Sequence, residues 1–292
     1  MTIRNNEERF GARQKHSDPP PPQVENIQPE PTEEAPPPPM SFSTPTEFVD
    51  LPSKGLSYGA DHPLHGKDSI EIRFMTARDE DILTSKSLLK KGVAIDRLLQ
   101  NILVDKKINI DQLLIGDKNA LVVAARITGY GADYDTKIMC PGCGDSATNS
   151  FDLETCKLIE GKVPEGVDKT ANGTFIAVTP RTKVQVELRL LLGADEKRLA
   201  KLVANKKKHK QPESTLTDQL RLAIASVNGN SDSNIINLFM STLTAHEARY
   251  LRDIYTQLAP NVEMKQDFMC NTCSFEQEME VPFTSDFFWP KR

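Results

Sequence analysis

The sequence predicts an α+β fold with a helical core, short antiparallel hairpins and a split zinc ribbon that carries a mainly helical insertion. Three observations predict this class. Apolar residues recur with a helical period in several stretches, and in others they alternate with polar residues, as they do in half-buried strands. Two Cys-x-x-Cys pairs, each in strand-like surroundings, lie far apart along the chain.

Length and composition divide the chain into regions. Its 292 residues can bury a substantial core, but the first 45 hold eleven of the twenty prolines and few apolar side chains. Such a stretch cannot bury enough surface to offset the entropy of ordering. We expect a disordered proline-rich segment at 1–45, an N-terminal α+β domain at 46–135, a split zinc ribbon at 136–153 plus 263–284, an inserted hairpin and helical domain at 154–262, and an aromatic C-terminal segment at 285–292.

The region before the first cysteine pair contains a strand and three helices, as judged by hydrophobic period. Thr76 and Asp79 form a capping-box pattern at the start of the first helix, and Asp117 is expected to cap the third. The third helix is apolar nearly all round, which predicts a central position in the core. The strand is predicted at 69–75, and the helices at 76–92, 94–104 and 118–128.

The region between the cysteine pairs begins with the period of a strand and continues with that of helices. Residues 179–182 offer the turn of a hairpin, and Thr244 with Glu247 forms a capping box for the last helix. A polar loop is expected at 206–214. The hairpin is predicted at 175–192, and the helices at 195–204, 217–227, 233–240 and 244–259.

The paired cysteines are the strongest chemical signal in the chain. Zinc binds thiolates at the corners of a tetrahedron, and two cysteines three apart in a tight turn can place both sulfurs on one ion. Pro141 and Gly142 suit such a turn. In a reducing compartment this arrangement favours a metal over disulfides. We predict one structural zinc ion, with the ligands Cys140, Cys143, Cys270 and Cys273.

The sequences around the two pairs match each other. Residues 136–139 and 266–269 both resemble strands that run into the first cysteine, and a further strand-like segment follows each pair. Two such hairpins facing each other make a zinc ribbon. Compact ribbons separate their pairs by about 15–20 residues, whereas Cys143 and Cys270 are 127 positions apart. The predicted ribbon therefore carries a large insertion.

Other states of the cysteines are open to the sequence. The pairs can be unmetallated turns with buried or free thiols, or each pair can form a disulfide, which a reducing cytosol disfavours. Cys156 stands apart from the pairs and is expected to be a small, buried apolar residue. A closed site of four thiolates has no open coordination position, so it predicts stability and not catalysis.

Composition and the remaining motifs argue against several classes of protein. The net charge of −5 disfavours bulk nucleic-acid binding. No stretch approaches the length of an apolar membrane span, and the polar N-terminus lacks the apolar region of a signal peptide. We therefore expect a soluble, intracellular protein with no membrane partner. The sequence has no P-loop, dinucleotide-binding glycine motif, zinc-protease motif or nucleophile elbow, so no enzymatic activity is expected.

Weaker signals have simpler structural interpretations. His62 and His65, in a loop rich in proline and glycine, are expected to be solvated. The acidic residues 79–81 suit the positive end of a helix dipole, and the basic residues 206–210 suit a solvated loop better than a phosphate site. The aromatic side chains of residues 287–289 must pack on the ribbon of the same chain or on a neighbouring subunit, because exposed they would form a large apolar patch.

Several stretches resemble the baseplate hub proteins of T-even-like contractile-tailed phages, the family of the hub subunit and the hub assembly protein. Besides the cysteine pairs, the resemblance rests on residues 49–55 (VDLPSKG), 75–83 (MTARDEDIL), 116–120 (GDKNA), 125–131 (ARITGYG) and 287–290 (FFWP). It covers about residues 46–292.

The resemblance implies a structural or assembly role at the hub of a phage tail baseplate, with no catalytic residues to carry over. It implies partners among the other baseplate hub, wedge and tail-tube proteins, and assembly as a homo-oligomer. The implied location is the host cytoplasm during assembly and the virion tail baseplate afterwards. The competing hypothesis is a zinc-ribbon nucleic-acid-binding protein, suggested by the cysteine pairs and the basic residues 206–210.

Overall fold

The computed structural model describes residues 43–282 and 287–288. Its helices are α1 (Ala77–Thr84), α2 (Lys86–Lys91), α3 (Ala94–Ile102), α4 (Ile115–Tyr130), α5 (Gly193–Lys208), α6 (Thr215–Ala223), α7 (Ser233–Thr242) and α8 (Ala245–Leu258), with 3-10 turns at Ile110–Gln112 and Leu153–Thr155. Its strands are β1 (Thr46–Asp50), β2 (Ser69–Arg73), β3 (Asp133–Met139), β4 (Ser146–Asp152), β5 (Lys157–Ile159), β6 (Val167–Lys169), β7 (Phe175–Val178), β8 (Gln185–Leu188), β9 (Ile224–Val227), β10 (Asn261–Glu263), β11 (Lys265–Met269) and β12 (Glu276–Glu280). The predicted mixture of helices and short antiparallel hairpins is confirmed.

The strands form five small antiparallel sheets. Four are two-stranded, pairing β1 with β2, β3 with β4, β5 with β10, and β11 with β12. The fifth has the order β6-β7-β8-β9 and contains the predicted hairpin. Buried side chains from these sheets and from the helices join in one continuous apolar core.

Helix α4 is central to that core, as its all-round apolar sequence predicts. Leu121 and Ala125 have no exposed surface. Gly116 lies against the chain that follows α8, so closely that a β-carbon there would come within 1.9 Å of the carbonyl oxygen of Pro260. Glycine is therefore required in the first turn of this helix.

Asp117 does not cap α4, contrary to the prediction. The helix already begins at Ile115, and the buried Asp117 carboxylate accepts hydrogen bonds from the amide (3.0 Å) and hydroxyl (2.6 Å) of Ser53. It also accepts one from the hydroxyl of Tyr58, at 2.6 Å. Burial raises the pKa of Asp117, and the hydrogen bonds from Ser53 and Tyr58 oppose the rise. Asp117 thus joins α4 to the loop after β1.

The two predicted capping residues do begin helices. The Asp79 carboxylate accepts hydrogen bonds from the amide (2.9 Å) and hydroxyl (2.8 Å) of Thr76 at the start of α1, and it also pairs with Arg73. At the start of α8, the hydroxyl of Thr244 accepts a hydrogen bond from the amide of Glu247.

Three predicted elements differ from those observed. The helix expected at 76–92 is divided at Ser85 into α1 and α2. The helix expected at 217–227 ends at Ala223, because the next four residues form β9, which pairs with β8 and buries the β-branched side chains of Ile224 and Val227. Residues 206–208, expected in a loop, complete α5.

The chain enters and leaves the predicted insertion side by side. β5 pairs with β10, with Lys157 opposite Glu263 and Ile159 opposite Asn261. We call this two-stranded sheet the neck. Neither strand was predicted, because three residues are too few to reveal a period. The neck brings together the two chain segments that border the ribbon hairpins, although they are distant in sequence.

Candidate metal centre

The structure brings the four paired cysteines together at the tips of two hairpins. The Sγ atoms of Cys140 and Cys273 lie 3.7 Å apart, and those of Cys143 and Cys270 lie 3.8 Å apart. All four sulfurs lie within 4.8 Å of one another. Each close contact joins the first cysteine of one pair to the second cysteine of the other, so the two pairs interlock.

Each pair sits in a six-residue loop, or knuckle, between two paired strands. In the first knuckle the amide of Cys140 donates to the carbonyl of Asp145, and the amide of Gly144 donates to the carbonyl of Cys140. The second knuckle repeats this pattern, with Cys270 bonded to Phe275 and to Ser274 in the same way.

The backbone of the two knuckles turns through the left-handed region at matching positions. Gly144 has a φ of 74° and Ser274 a φ of 55°. A glycine adopts this conformation at little cost, whereas a serine is strained there. Ser274 nevertheless adopts this conformation in the turn that brings Cys270 and Cys273 together. The geometry of this turn therefore outweighs the preference of serine for a negative φ.

The two knuckles touch each other through residues other than cysteine. The hydroxyl of Thr272 donates a hydrogen bond of 2.8 Å to the carboxylate of Asp145. Gly142 lies against the ring of Phe275, where a β-carbon would come within 3.0 Å of the ring atoms. Thr272 and Gly142 occupy the same position in their knuckles, as do Asp145 and Phe275, so the contacts are related by an approximate twofold symmetry.

An apolar layer supports the knuckles from beneath. Ile138 and Phe268 lie two residues before the first cysteine of each pair and are buried, as are Cys140 and Cys270 themselves. Cys143 and Cys273 are exposed. The centre therefore lies at the surface of the core, half covered by the protein.

The two described residues of the C-terminal aromatic segment complete this layer. Phe287 and Phe288 are both buried, and the ring of Phe287 lies 5.1 Å from that of Tyr134 in β3, at 73° to it. The Tyr134 hydroxyl donates to the carbonyl of Pro282. These two residues thus pack on the first hairpin of the same chain, the first of the two predicted alternatives. Trp289 lies outside the described residues.

Sequence reasoning missed one side chain that fixes the hairpins together. The carboxamide of Gln266 in β11 accepts from the amide of Asp152 at 3.1 Å and donates to the carbonyl of Asp152 at 2.7 Å. It extends the edge of β4 as a further backbone unit would. A polar residue in an alternating strand gives no sequence signal for this role, since it has the pattern of any exposed strand residue.

The electrostatics of the centre follow from the crowding of four sulfurs. Hydrogen bonds from the backbone amides of Cys273 and Thr272 lower the pKa of Cys270 to about 6. At Cys273 the amide of Phe275 acts in the same direction, but the neighbouring sulfurs, that of Cys143 first, outweigh it and raise the pKa of Cys273 to about 12. One thiolate is thus favoured, and further thiolates repel one another in the absence of a cation.

The sulfur positions fit a tetrahedral zinc ion. Zinc–sulfur bonds of about 2.3 Å place the sulfurs of a regular tetrahedron about 3.8 Å apart. Two sulfur pairs here lie 3.7 and 3.8 Å apart, and all the sulfurs lie within 4.8 Å of one another. The amide of Gly142 lies 3.3 Å from the Cys140 sulfur, where it can stabilise a metal-bound thiolate. A disulfide would need sulfurs about 2 Å apart. Four cysteine ligands leave zinc no open position for a substrate, so this arrangement suits a structural site.

The other candidate residues lie elsewhere. Within the described ranges, the four cysteines are the only group of three or more potential ligand side chains that converge as metal ligands would. His62 is not solvated as expected: it is half-buried and stacks on Tyr58 with ring centroids 4.2 Å apart, and burial lowers its pKa. His65 is exposed, and its Nδ1 lies 2.8 Å from the carbonyl oxygen of Tyr58.

Cys156 and the basic residues 206–210 lie outside the cysteine cluster. Cys156 is half-buried and packs against the core, and burial raises the pKa of its thiol. Lys206 is paired with Asp218 at 2.5 Å, which removes it from the set of cations open to phosphate. Lys207, Lys208 and Lys210 are exposed.

Comparison with known families identifies the chain. A family model described as T4 bacteriophage base plate protein matches residues 47–289, from β1 to the C-terminal aromatic segment. The chain belongs to the T4 bacteriophage base plate protein family. Membership makes this baseplate protein a structural component of a phage tail that contacts other baseplate or tail proteins. Comparisons with curated proteins and with solved structures each found no match. Across 43–282 and 287–288, no helix combines the length and apolar character needed to cross a bilayer.

Proposed function

We propose that this protein is a structural or assembly component of the baseplate hub. In this proposal a zinc ion bound by Cys140, Cys143, Cys270 and Cys273 holds the fold together, and the protein acts through protein–protein contacts. The observation that carries it is the convergence of four sulfurs from two distant hairpins in a chain that matches the baseplate family over residues 47–289.

The hub assignment draws support from where the motifs that resemble hub proteins lie. Ser53, in the motif at 49–55, donates to Asp117, in the motif at 116–120. Arg126 donates to the carbonyl of Gly131, at the end of the motif at 125–131. Residues of three motifs therefore make contacts that hold the core together. Such contacts are expected of a protein that acts through its architecture.

The energetic scale supports a structural role for zinc. Zinc binding by small fingers has an apparent free energy of about 10–16 kcal/mol, as large as the roughly 5–15 kcal/mol stability of a typical domain. The ribbon hairpins at 136–153 and 263–284 are small and two-stranded, and such hairpins have marginal stability alone. A metal staple would stabilise them in a cytosol that reduces disulfides.

The same proposal covers the organisation and location of the chain. Residues 154–262 would be an insertion between the ribbon hairpins, with the neck as its base, and 46–135 the N-terminal domain on which both pack. Partners would be other hub proteins, the wedge and the tail tube, with several copies per assembly. The protein would be made in the host cytoplasm and retained in the virion tail.

Mass spectrometry of purified virions and of tail-assembly intermediates tests the proposal. Crosslinking of the same particles before digestion identifies the neighbours of this chain. We expect the chain in hub-containing particles, crosslinked to hub or tail-tube subunits. Crosslinks to wedge proteins alone would contradict the hub assignment, and absence of the chain from both virions and intermediates would contradict a structural role.

A further inference from the structure

A cavity of about 420 Å³ lies between α5, α6 and α7, far along the sequence from the cysteines. Its size falls in the range of about 300–1,000 Å³ that is common for ligand pockets. Aliphatic side chains form part of its wall, from Leu202, Leu222, Ile224 and Ile236. Cationic side chains form another part, from Arg189, Arg198, Lys201 and Arg221, and the neutral polar Asn205 and Ser233 complete it.

Three of these cations form no hydrogen bond or ion pair in the described part of the chain, although Arg198 lies near enough to Asp195 to help lower the pKa of that carboxyl. Arg189 forms a bidentate ion pair with Asp195, in which each terminal guanidinium nitrogen lies 2.8 Å from a carboxylate oxygen. Arg198, Lys201 and Arg221 are exposed, and none has a hydrogen bond or ion pair to another described residue. The cavity therefore carries a local positive charge in a chain whose net charge is −5.

The two cations of α5 that line the cavity form no ion pair with another described residue. Lys197 and Lys206, on the same helix, are neutralised by Asp96 and Asp111, and by Asp218. Arg198 and Lys201, which face the cavity, are three residues apart and repel each other. A ligand with carboxylate groups would reduce this repulsion, because it would supply further negative charge beside Arg198 and Lys201.

Helix α7 supplies a second observation at the same place. Its side chains Ile236, Phe239 and Met240 are half-buried and pack against the core, whereas Ile235 and Leu238 are exposed, Leu238 to 62%. A partner that fills the cavity beside Ile236 could therefore also cover the exposed apolar side chains of α7.

We propose that this cavity binds an acidic segment of a neighbouring baseplate protein, with carboxylates on Arg198, Lys201 and Arg221 and an aliphatic side chain against Ile236. The inference rests on the proposed structural role, which requires contacts with other proteins. A protein segment fits better than nucleic acid, because the described lining is partly aliphatic and contains no aromatic side chain on which a base could stack.

Short labelled peptides test this by fluorescence anisotropy with the full-length, zinc-loaded protein. One peptide alternates Glu with Leu, a second replaces Glu by Gln, and a third replaces Leu by Ser. The double variant Arg198→Glu, Lys201→Glu removes the cavity charge. The matched control, Lys207→Glu with Lys208→Glu, makes the same change of charge on the same helix, at exposed residues that do not line the cavity.

We expect the Glu–Leu peptide to bind more tightly than the other two, with an affinity at least about tenfold lower for the cavity variant. The control variant should change it by less than about threefold, because salt screens distant charges. Zinc content and melting temperature, measured on both variants, show that they fold.

Three results would overturn the proposal. The first is no saturable binding of the Glu–Leu peptide, and the second is an equal loss of affinity in both variants. The third is tighter binding of an oligothymidine, lost in the cavity variant, which would assign the cavity to nucleic acid. None of these affects the virion test of the proposed function, so the two can fail separately.

Discussion

The hydroxyl of Thr272 donates a 2.8 Å hydrogen bond to the carboxylate of Asp145, across the boundary between the two knuckles. Together with the contact between Gly142 and Phe275, it joins the two hairpins beside the sulfurs. These two contacts therefore help to position the four sulfurs. A site organised in this way binds its metal with less loss of chain entropy than one that the metal must assemble.

Serine in place of a buried cysteine should remove the metal. We expect Cys140→Ser and Cys270→Ser each to lose about one equivalent of zinc, since three thiolates and a hydroxyl bind zinc more weakly than four thiolates. Elemental analysis of the purified proteins measures this. Cys156→Ser is the matched control, because Cys156 lies outside the cluster, and it should keep its zinc.

A chelator separates metal loss from the effect of substitution. It should lower the melting temperature of the wild-type protein and of Cys156→Ser, and leave that of Cys140→Ser unchanged. Full metal content in both Cys140→Ser and Cys270→Ser would refute a shared site.

A side chain at Gly142 should disturb the contact between the knuckles. In Gly142→Ala the new β-carbon meets the Phe275 ring at 3.0 Å, and overpacking of this kind costs about 1–3 kcal/mol. We expect a lower melting temperature and weaker zinc binding in competition with a chromogenic chelator. Gly59→Ala is the control, since a β-carbon there meets nothing within 4 Å. Phe275→Leu in the Gly142→Ala background should restore part of the loss; if it does not, the ring is not the cause.

Loss of the Tyr58 hydroxyl should destabilise the core. This hydroxyl donates to Asp117 at 2.6 Å and accepts from the amide of Leu114 at 3.0 Å. Tyr58→Phe leaves a buried amide unpaired and the carboxylate with one donor fewer, at a cost of about 1–3 kcal/mol. Urea unfolding measures the difference. Tyr250→Phe serves for comparison, because its hydroxyl has no partner among the described residues, and should change stability little. Equal effects would contradict the role of Tyr58.

Asp79 should make stability depend on acid pH. Burial acts to raise its pKa, but the Arg73 guanidinium and hydrogen bonds from Thr76 and Asn101 outweigh burial, so the pKa of Asp79 lies well below its usual value. Because the folded-state pKa is the lower one, the stabilisation is present above about pH 4 and is lost as the pH falls further.

The variant Asp79→Asn tests this dependence. It should be less stable than the wild type near neutral pH by about 1–3 kcal/mol, and its free energy of unfolding should fall less on acidification. Asp81→Asn, a change at an exposed residue of the same helix, should keep the wild-type profile. An Asp79→Asn profile parallel to the wild type would show that Asp79 does not carry the effect.

The sequence predicted those parts of the fold that rest on local patterns. The period of α4 and the capping residues Thr76 and Thr244 are local signals, and so are the matched flanks of the cysteine pairs. Asp117 was misassigned because its partners, Ser53 and Tyr58, are about sixty residues away in sequence. β9 was assigned to a helix because its strand conformation depends on pairing with β8.

The sequence predicted the four cysteine ligands of the candidate site, but not the side chains that hold the two hairpins together. Residue type and spacing identify cysteine pairs directly, since few side chains bind zinc. Gln266, with two hydrogen bonds, and Thr272, with one, hold the hairpins together, and such contacts have no periodic or compositional signature in the sequence. The stacking of His62 on Tyr58 likewise depends on how the loop after β1 closes on itself.

The neck changes how far apart the two cysteine pairs effectively are. Once β5 and β10 have paired, Ile159 lies opposite Asn261. The loop that must still close to bring Cys143 to Cys270 then contains only the residues between the cysteines and the neck. The entropic cost of closing the long loop is then met when the insertion folds, and it does not reduce the affinity of the cysteines for the ion. A change in the length of the chain beyond the neck should therefore leave the shape of the ribbon unaltered. A short turn grafted from Ile159 to Asn261 would bring the two cysteine pairs much closer in sequence, although still farther apart than the about 15–20 residues of a compact ribbon.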